Sequence, residues 1–124
     1  MICVELANDI GSTSILLDDP FLRARSRIIS DWLNKEVCSQ FYPILVSKDE
    51  EKRKSSFLKL TEGLNRFQND CLGPFFYGEK ISMVDIAVFP WMYRIFGCNI
   101  LTYFRGDEYF INLEDAQWKK LKIW

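Results

Sequence analysis

The segment Ile81-Ser82-Met83-Val84-Asp85-Ile86 constrains this chain more than any other. Ser82 stands three residues before Asp85, so its hydroxyl can cap the Asp85 amide while the Asp85 carboxylate reaches back to the Ser82 amide. Ile81 and Ile86 occupy the two positions of a hydrophobic staple across that helix start. The residues that follow, Met83 to Phe96, are apolar nearly all round. A helix of that kind is buried on all sides. The box and the run together predict a central helix wrapped by others. Pro90 lies inside it and removes a backbone donor, so a bend is expected near Ile86 to Pro90.

The wrapping helices are also written in the spacing. Asp19-Pro20 places a capping side chain before a proline at the first helical position. Ile29, Leu33, Val37 and Phe41 then recur every four residues, with Phe21, Ile28 and Trp32 widening the stripe. This predicts a helix over about 20–42, kinked or ended by Pro43. Ser47 and Glu50 form a second capping-box pattern, ahead of the charged run 48–54, which reads as a solvated face. Phe57, Leu60, Leu64, Phe67 and Cys71 follow at steps of three and four, and Gly73-Pro74 stops that helix. Residues 98–112 are aromatic and irregular, with room for one more helical stretch. Residues 112–124 read as helical again, with Trp118, Leu121 and either Ile123 or Trp124 toward the core. The fold class is all-α.

Composition narrows the chemistry. The chain has 124 residues, about one domain, and nearly half are apolar, enough for a core without disulfides or metals. A net charge of −1 with interspersed signs argues against a nucleic-acid module. The chain contains no histidine, which removes the commonest general base and metal ligand. Cys3, Cys38, Cys71 and Cys98 are widely separated, so a zinc site is not expected. They read as free thiols, three on apolar helix faces, which fits a reducing cytosol. Neither Cys38 nor Cys98 has a cation on its own face or a helix N-terminus to activate it. The run 81–96 is interrupted by Asp85, Pro90 and Arg94, so no membrane span is expected. Arg105-Gly106-Asp107 is a chance tripeptide.

A chain entered by Asp-Pro and centred on Phe75-Phe76-Tyr77-Gly78 followed by Ile81-Ser82-Met83-Val84-Asp85-Ile86 resembles the C-terminal helical domain of glutathione transferases. Phe89-Pro90-Trp91 with Arg94 is similar to a segment of the omega class. Asp18-Asp19-Pro20-Phe21, Arg23-Ala24 and Lys122 to Trp124 also fall where omega proteins carry similar residues. The likeness covers almost the whole chain. Ile2-Cys3-Val4-Glu5-Leu6 resembles the last helix of the family's thioredoxin-like half. On this reading residues 1–9 are a remnant of that half, 10–18 a linker, and 19–124 the helical bundle.

The resemblance implies the rest. Glutathione would be bound mainly by the thioredoxin-like half, which would also hold the catalytic thiol. The helical domain would supply part of an electrophile-binding cleft, as in omega-type thiol transferases and dehydroascorbate reductases. Arg94, Trp32, Phe41 and Ile44 are its candidate lining. A salt bridge is an equal reading for Arg94, and core packing is the commoner role of aromatics at helical spacing. Ile81, Ser82, Asp85 and Ile86 are folding elements rather than catalytic ones. The partners implied are a small electrophilic or disulfide substrate and a second copy in a cytoplasmic homodimer. The alternative is a non-catalytic assembly module of the elongation-factor or chloride intracellular channel type.

Overall fold

The computed structural model describes residues 18–124. The expectations for residues 1–9, and for all of the linker but its last residue, lie outside the described residues. α1 runs over Pro20–Leu33, passes through a π-helical turn at Asn34–Cys38 and continues as α2, Ser39–Val46. α3 is Glu50–Asp70. α4, Met83–Met92, ends in a second π turn at Tyr93–Gly97. α5 is Ile100–Arg105, and α6, Lys119–Ile123, follows the 3-10 turn Ala116–Trp118. Among the described residues there is no sheet, only an isolated antiparallel bridge between Phe75 and Gly78.

Asp19 caps α1 as predicted, accepting from the Phe21 amide at 2.9 Å, with Pro20 at the first helical position. Pro43 does not end the helix, which runs on to Val46. The proline ring presses toward the carbonyl four residues back, at Ser39. The π turn ends immediately before that residue, where its extra backbone unit gives the ladder room. What ends α2 instead is a clamp. Arg105 donates to the carbonyls of Ile44, Leu45 and Ser47, and Arg53 donates to Ser47 at 2.8 Å. These are the orphan acceptors of a helix C-terminus, met by cations as its dipole favours.

The second capping box is displaced. Asp49, not Ser47, caps α3, its Oδ1 accepting from Glu51 at 3.0 Å and Lys52 at 3.4 Å. Ser47 accepts from the Asp49 amide and so orders the approach to the cap. Leu60, Leu64, Phe67 and Cys71 are buried as their spacing requires. α2 and the first π turn pack on α3, α1 packs on α4, and α6 closes on α3. At the α3 crossing, a Cβ on Gly63 would lie 2.4 Å from Val37 Cγ2, so only glycine permits this approach.

The box before α4 is present and buried. Asp85 Oδ2 accepts from the Ser82 amide at 2.9 Å and from the Ser82 hydroxyl at 2.8 Å. Its Oδ1 accepts from the Phe76 amide at 3.0 Å and from Trp124 Nε1 at 2.7 Å. One carboxylate thus ties the helix start to the preceding connector and to the last residue of the chain. Gln68 does similar work for the last helix, donating to Gln117 O and accepting from the Leu121 amide. Trp124 rather than Ile123 turns to the core, its ring edge-on to Phe67.

Two expectations for α4 need correction. The helix is not buried all round: Met83, Val84, Val88 and Met92 face the core, while Ile86, Phe89 and Tyr93 are exposed. Nor is there a break at Ile86 to Pro90. α geometry holds through Pro90 and departs from it only at Tyr93–Gly97. Pro90 sits on the exposed side with Ile86, where water can satisfy the carbonyl that the proline leaves unpaired.

Candidate functional site

The exposed side of α4 presents apolar side chains, Ile86, Phe89 and Tyr93, to solvent. Phe89 and Tyr93, one turn apart, stack with ring centroids 6.2 Å apart. Trp91, two residues from each and so on another side of the helix, is half-buried and meets Phe41 and Tyr42 edge-on, each at 5.7 Å. The Arg94 guanidinium lies 4.8 Å over the Trp91 ring. No carboxylate among the described residues pairs with it. A cation held by an aromatic face keeps all five donors for something else.

The four predicted lining residues do not converge. Arg94 joins the Trp91 cluster. Phe41 is 2% exposed and Ile44 fully buried, so both belong to the hydrophobic core and cannot line an open cleft. Phe41 reaches the cluster only from beneath, as the support of Trp91. Trp32 lies elsewhere, on the face between α1 and α3, with the Arg66 guanidinium 4.2 Å over its ring. Ser82 and Asp85 form the buried box, whereas the staple residues Ile81 and Ile86 both stay exposed. Reading the sequence missed Tyr42. It follows Phe41 directly, so the four-residue period of the core stripe passes over it.

Nothing in the described residues offers an activated nucleophile. Burial pushes the Cys38 and Cys71 thiols up to about 12, with the Asp85 charge adding to the effect at Cys71. Both are therefore neutral thiols near pH 7. Cys98 is free and exposed. No group of histidine, cysteine and carboxylate side chains among the described residues is arranged to hold a metal, and none of the described helices is long and apolar enough to cross a membrane.

No family model matches the chain. Among curated proteins it is similar to glutathione S-transferase U17 of Arabidopsis thaliana, 30% identical over 134 aligned positions that cover 99% of this chain and 55% of the relative. Glutathione S-transferase U19 of the same plant is 28% identical over 113 positions, covering 89% of this chain and 47% of the relative. Among solved structures, glutathione transferase Omega 3C from Trametes versicolor superposes with a TM-score of 0.77 at 28% identity, over 94% of this chain and 52% of that one. The chain belongs to the glutathione transferase superfamily.

What it carries is a helical domain of the glutathione transferase C-terminal type. The Tau class transferase MiGSTU from mango shares the fold, with a TM-score of 0.71 at 24% identity over 98% of this chain and 58% of its own. The chain spans about half the length of the curated relatives it matches. In this glutathione transferase domain the buried half of α4 is a folding device. On its other side Ile86, Phe89 and Tyr93 stay exposed.

Proposed function

We propose that this domain supplies the electrophile-side wall of a glutathione-dependent thiol transferase of omega type, working beside a thioredoxin-like half that binds glutathione and holds the reactive thiol. The observation that carries the reading is the Arg94 guanidinium, poised over the half-buried Trp91 beside Tyr42, with no carboxylate among the described residues paired to it. An apolar wall with one oriented cation suits a small substrate that has an apolar body and an anionic or strongly polar end. The Ile86–Phe89–Tyr93 face is the seat for the thioredoxin-like half, whose contact would remove these side chains from water. Trp91 and Tyr42 take the place that Phe41 and Ile44 cannot fill, and Trp32 contributes only from the neighbouring face. Homodimerisation in the cytoplasm belongs to the same reading.

The test joins this chain to the thioredoxin-like half of an omega-class relative. The fusion is assayed for glutathione-dependent reduction of hydroxyethyl disulfide and of dehydroascorbate. Turnover is expected, with Arg94→Ala lowering kcat/KM by about tenfold, the loss of one charge-assisted contact, and leaving the melting temperature unchanged. A folded fusion that binds glutathione but turns over neither substrate would favour the assembly-module alternative.

A further inference from the structure

The segment after α5 turns back along α3 and is fixed there by its own packing. Ile111 and Trp118 are buried in the core, Tyr109 meets the Phe57 ring edge-on at 5.2 Å, and Gln68 donates to the Gln117 carbonyl. Between these anchors, residues 110–118 and the middle of α3 leave a pocket of about 290 Å³. Phe57, Phe110 and Trp118 give it aromatic walls. An apolar cavity of roughly 150 Å³ takes up benzene, so this pocket has room for a ring and a short chain.

The charge on the walls selects the group at the end of that chain. Glu62 and Asp115 are the charged residues of the lining, and both are carboxylates. Among the described residues neither forms an ion pair. Lys59 and Arg66, the helix neighbours of Glu62, line an adjoining groove, where Arg66 meets Asp70 instead. The Asp115 side chain takes no part in capping the turn that follows it, and its hydrogen-bond partner is Asn112 Nδ2, 3.4 Å away. Ionised carboxylates only accept hydrogen bonds, so they match a group that only donates. An ammonium ion offers three donors, and aromatic walls attract a cation as well. A carboxylate on the ligand would meet like charge.

We infer that this pocket binds an arylalkylamine, a primary ammonium ion on a short chain bearing one aromatic ring, in preference to the alcohol or carboxylate of the same skeleton. The site shares no residue with the Trp91–Arg94 wall and stands or falls independently of the thiol transferase reading.

Fluorine NMR of the full chain at pH 7 with 4-fluorophenethylamine, 4-fluorophenethyl alcohol and 4-fluorophenylacetate tests it. Saturable binding of the amine is expected with a Kd of about 1 mM or tighter, with the alcohol about tenfold weaker and the acid weaker still. Asp115→Asn keeps an oxygen for Asn112 and removes the charge, so amine binding should weaken about tenfold while alcohol binding holds. Glu62→Gln should act in the same direction. Phe110 is exposed, so Phe110→Ala should remove a wall without disturbing the fold and weaken amine and alcohol alike. Circular dichroism melts confirm that the variants remain folded. Failure of the amine to bind by about 10 mM, equal affinity for the three probes, or unchanged amine affinity in both carboxylate variants would each overturn the proposal.

Discussion

Replacing Asp85 tests the account of the fold most directly. Its side chain is 1% exposed and accepts four hydrogen bonds. In Asp85→Ala the Ser82 hydroxyl can rotate, and the half-buried Trp124 indole can turn toward water. The amides of Phe76 and Ser82 have no such escape. Each buried donor left unpaired costs about 1–3 kcal/mol, so the pair costs about 2–6 kcal/mol. The ordinary loss of a helix cap, about 0.5–2 kcal/mol, is the Ser82 share counted another way and is not added. That is a large fraction of the roughly 5–15 kcal/mol that stabilises a domain.

Asp85→Asn should be milder by about half. Its remaining oxygen can serve Phe76 and Trp124, while its NH2 group faces Ser82. The Ser82 hydroxyl can turn to accept from that group, and only the Ser82 amide is orphaned, at about 1–3 kcal/mol. Urea unfolding followed by tryptophan fluorescence reads both. At an m value of about 2 kcal/mol per molar, the midpoint should fall by about 1–3 M for alanine and half as much for asparagine. An alanine variant within about 0.5 kcal/mol of wild type, or an asparagine variant worse than alanine, would refute this accounting.

Three further outcomes follow from the same packing. Gly63→Ala should destabilise by about 1–3 kcal/mol despite alanine's better helix propensity, because its Cβ would meet Val37. Adding Val37→Ala should cost less than the two changes summed, as a double-mutant cycle would measure. Arg105→Ala should lose about 1.5–3 kcal/mol by unclamping the end of α2, with Arg105→Lys intermediate, both read by thermal melts. Iodoacetamide mapping at pH 7.5 should modify Cys98 quickly and leave Cys38 and Cys71 protected until the chain unfolds. Because their folded pKa is raised from 9.0 to about 12, the native state holds their protons longer than the unfolded state. Their contribution is complete below about pH 9 and is lost as pH rises toward 12. A flat stability profile across that alkaline range would contradict their burial.

Most of the architecture was legible because it rests on period and caps. Leu60, Leu64 and Phe67 are buried where the spacing put them, and Asp19 and Asp85 act at the helix starts they mark. The misses have physical causes. Pro43 signals a helix end only if the ladder around it is regular, and a π turn has no signature in apolar spacing. Ser47 matches a capping pattern as well as Asp49 does, and the choice is made by where the Arg105 clamp ends α2. That clamp joins residues about sixty positions apart, beyond any local rule.

The candidate site was less legible for a reason that lies in α4 itself. A helix apolar on every face has no amphipathic asymmetry, so its sequence does not say which face meets the domain's own core. Complete burial was the simplest answer. The structure splits the helix: Val84, Val88 and Met92 turn inward, while Ile86, Phe89 and Tyr93 remain uncovered. Of that outer face only Phe89 reaches toward the core of the described residues, tilted against Trp124. Arg94, the one charge after Asp85 on this segment, is tolerated because it is only half-buried, over the face of Trp91. The same ambiguity misplaced Phe41 and Ile44. On a stripe where every residue is apolar, lining a core and lining a cleft read alike, and Phe41 and Ile44 lie inside the core while Trp91, edge-on to Phe41 and under the Arg94 guanidinium, is half-buried at its margin.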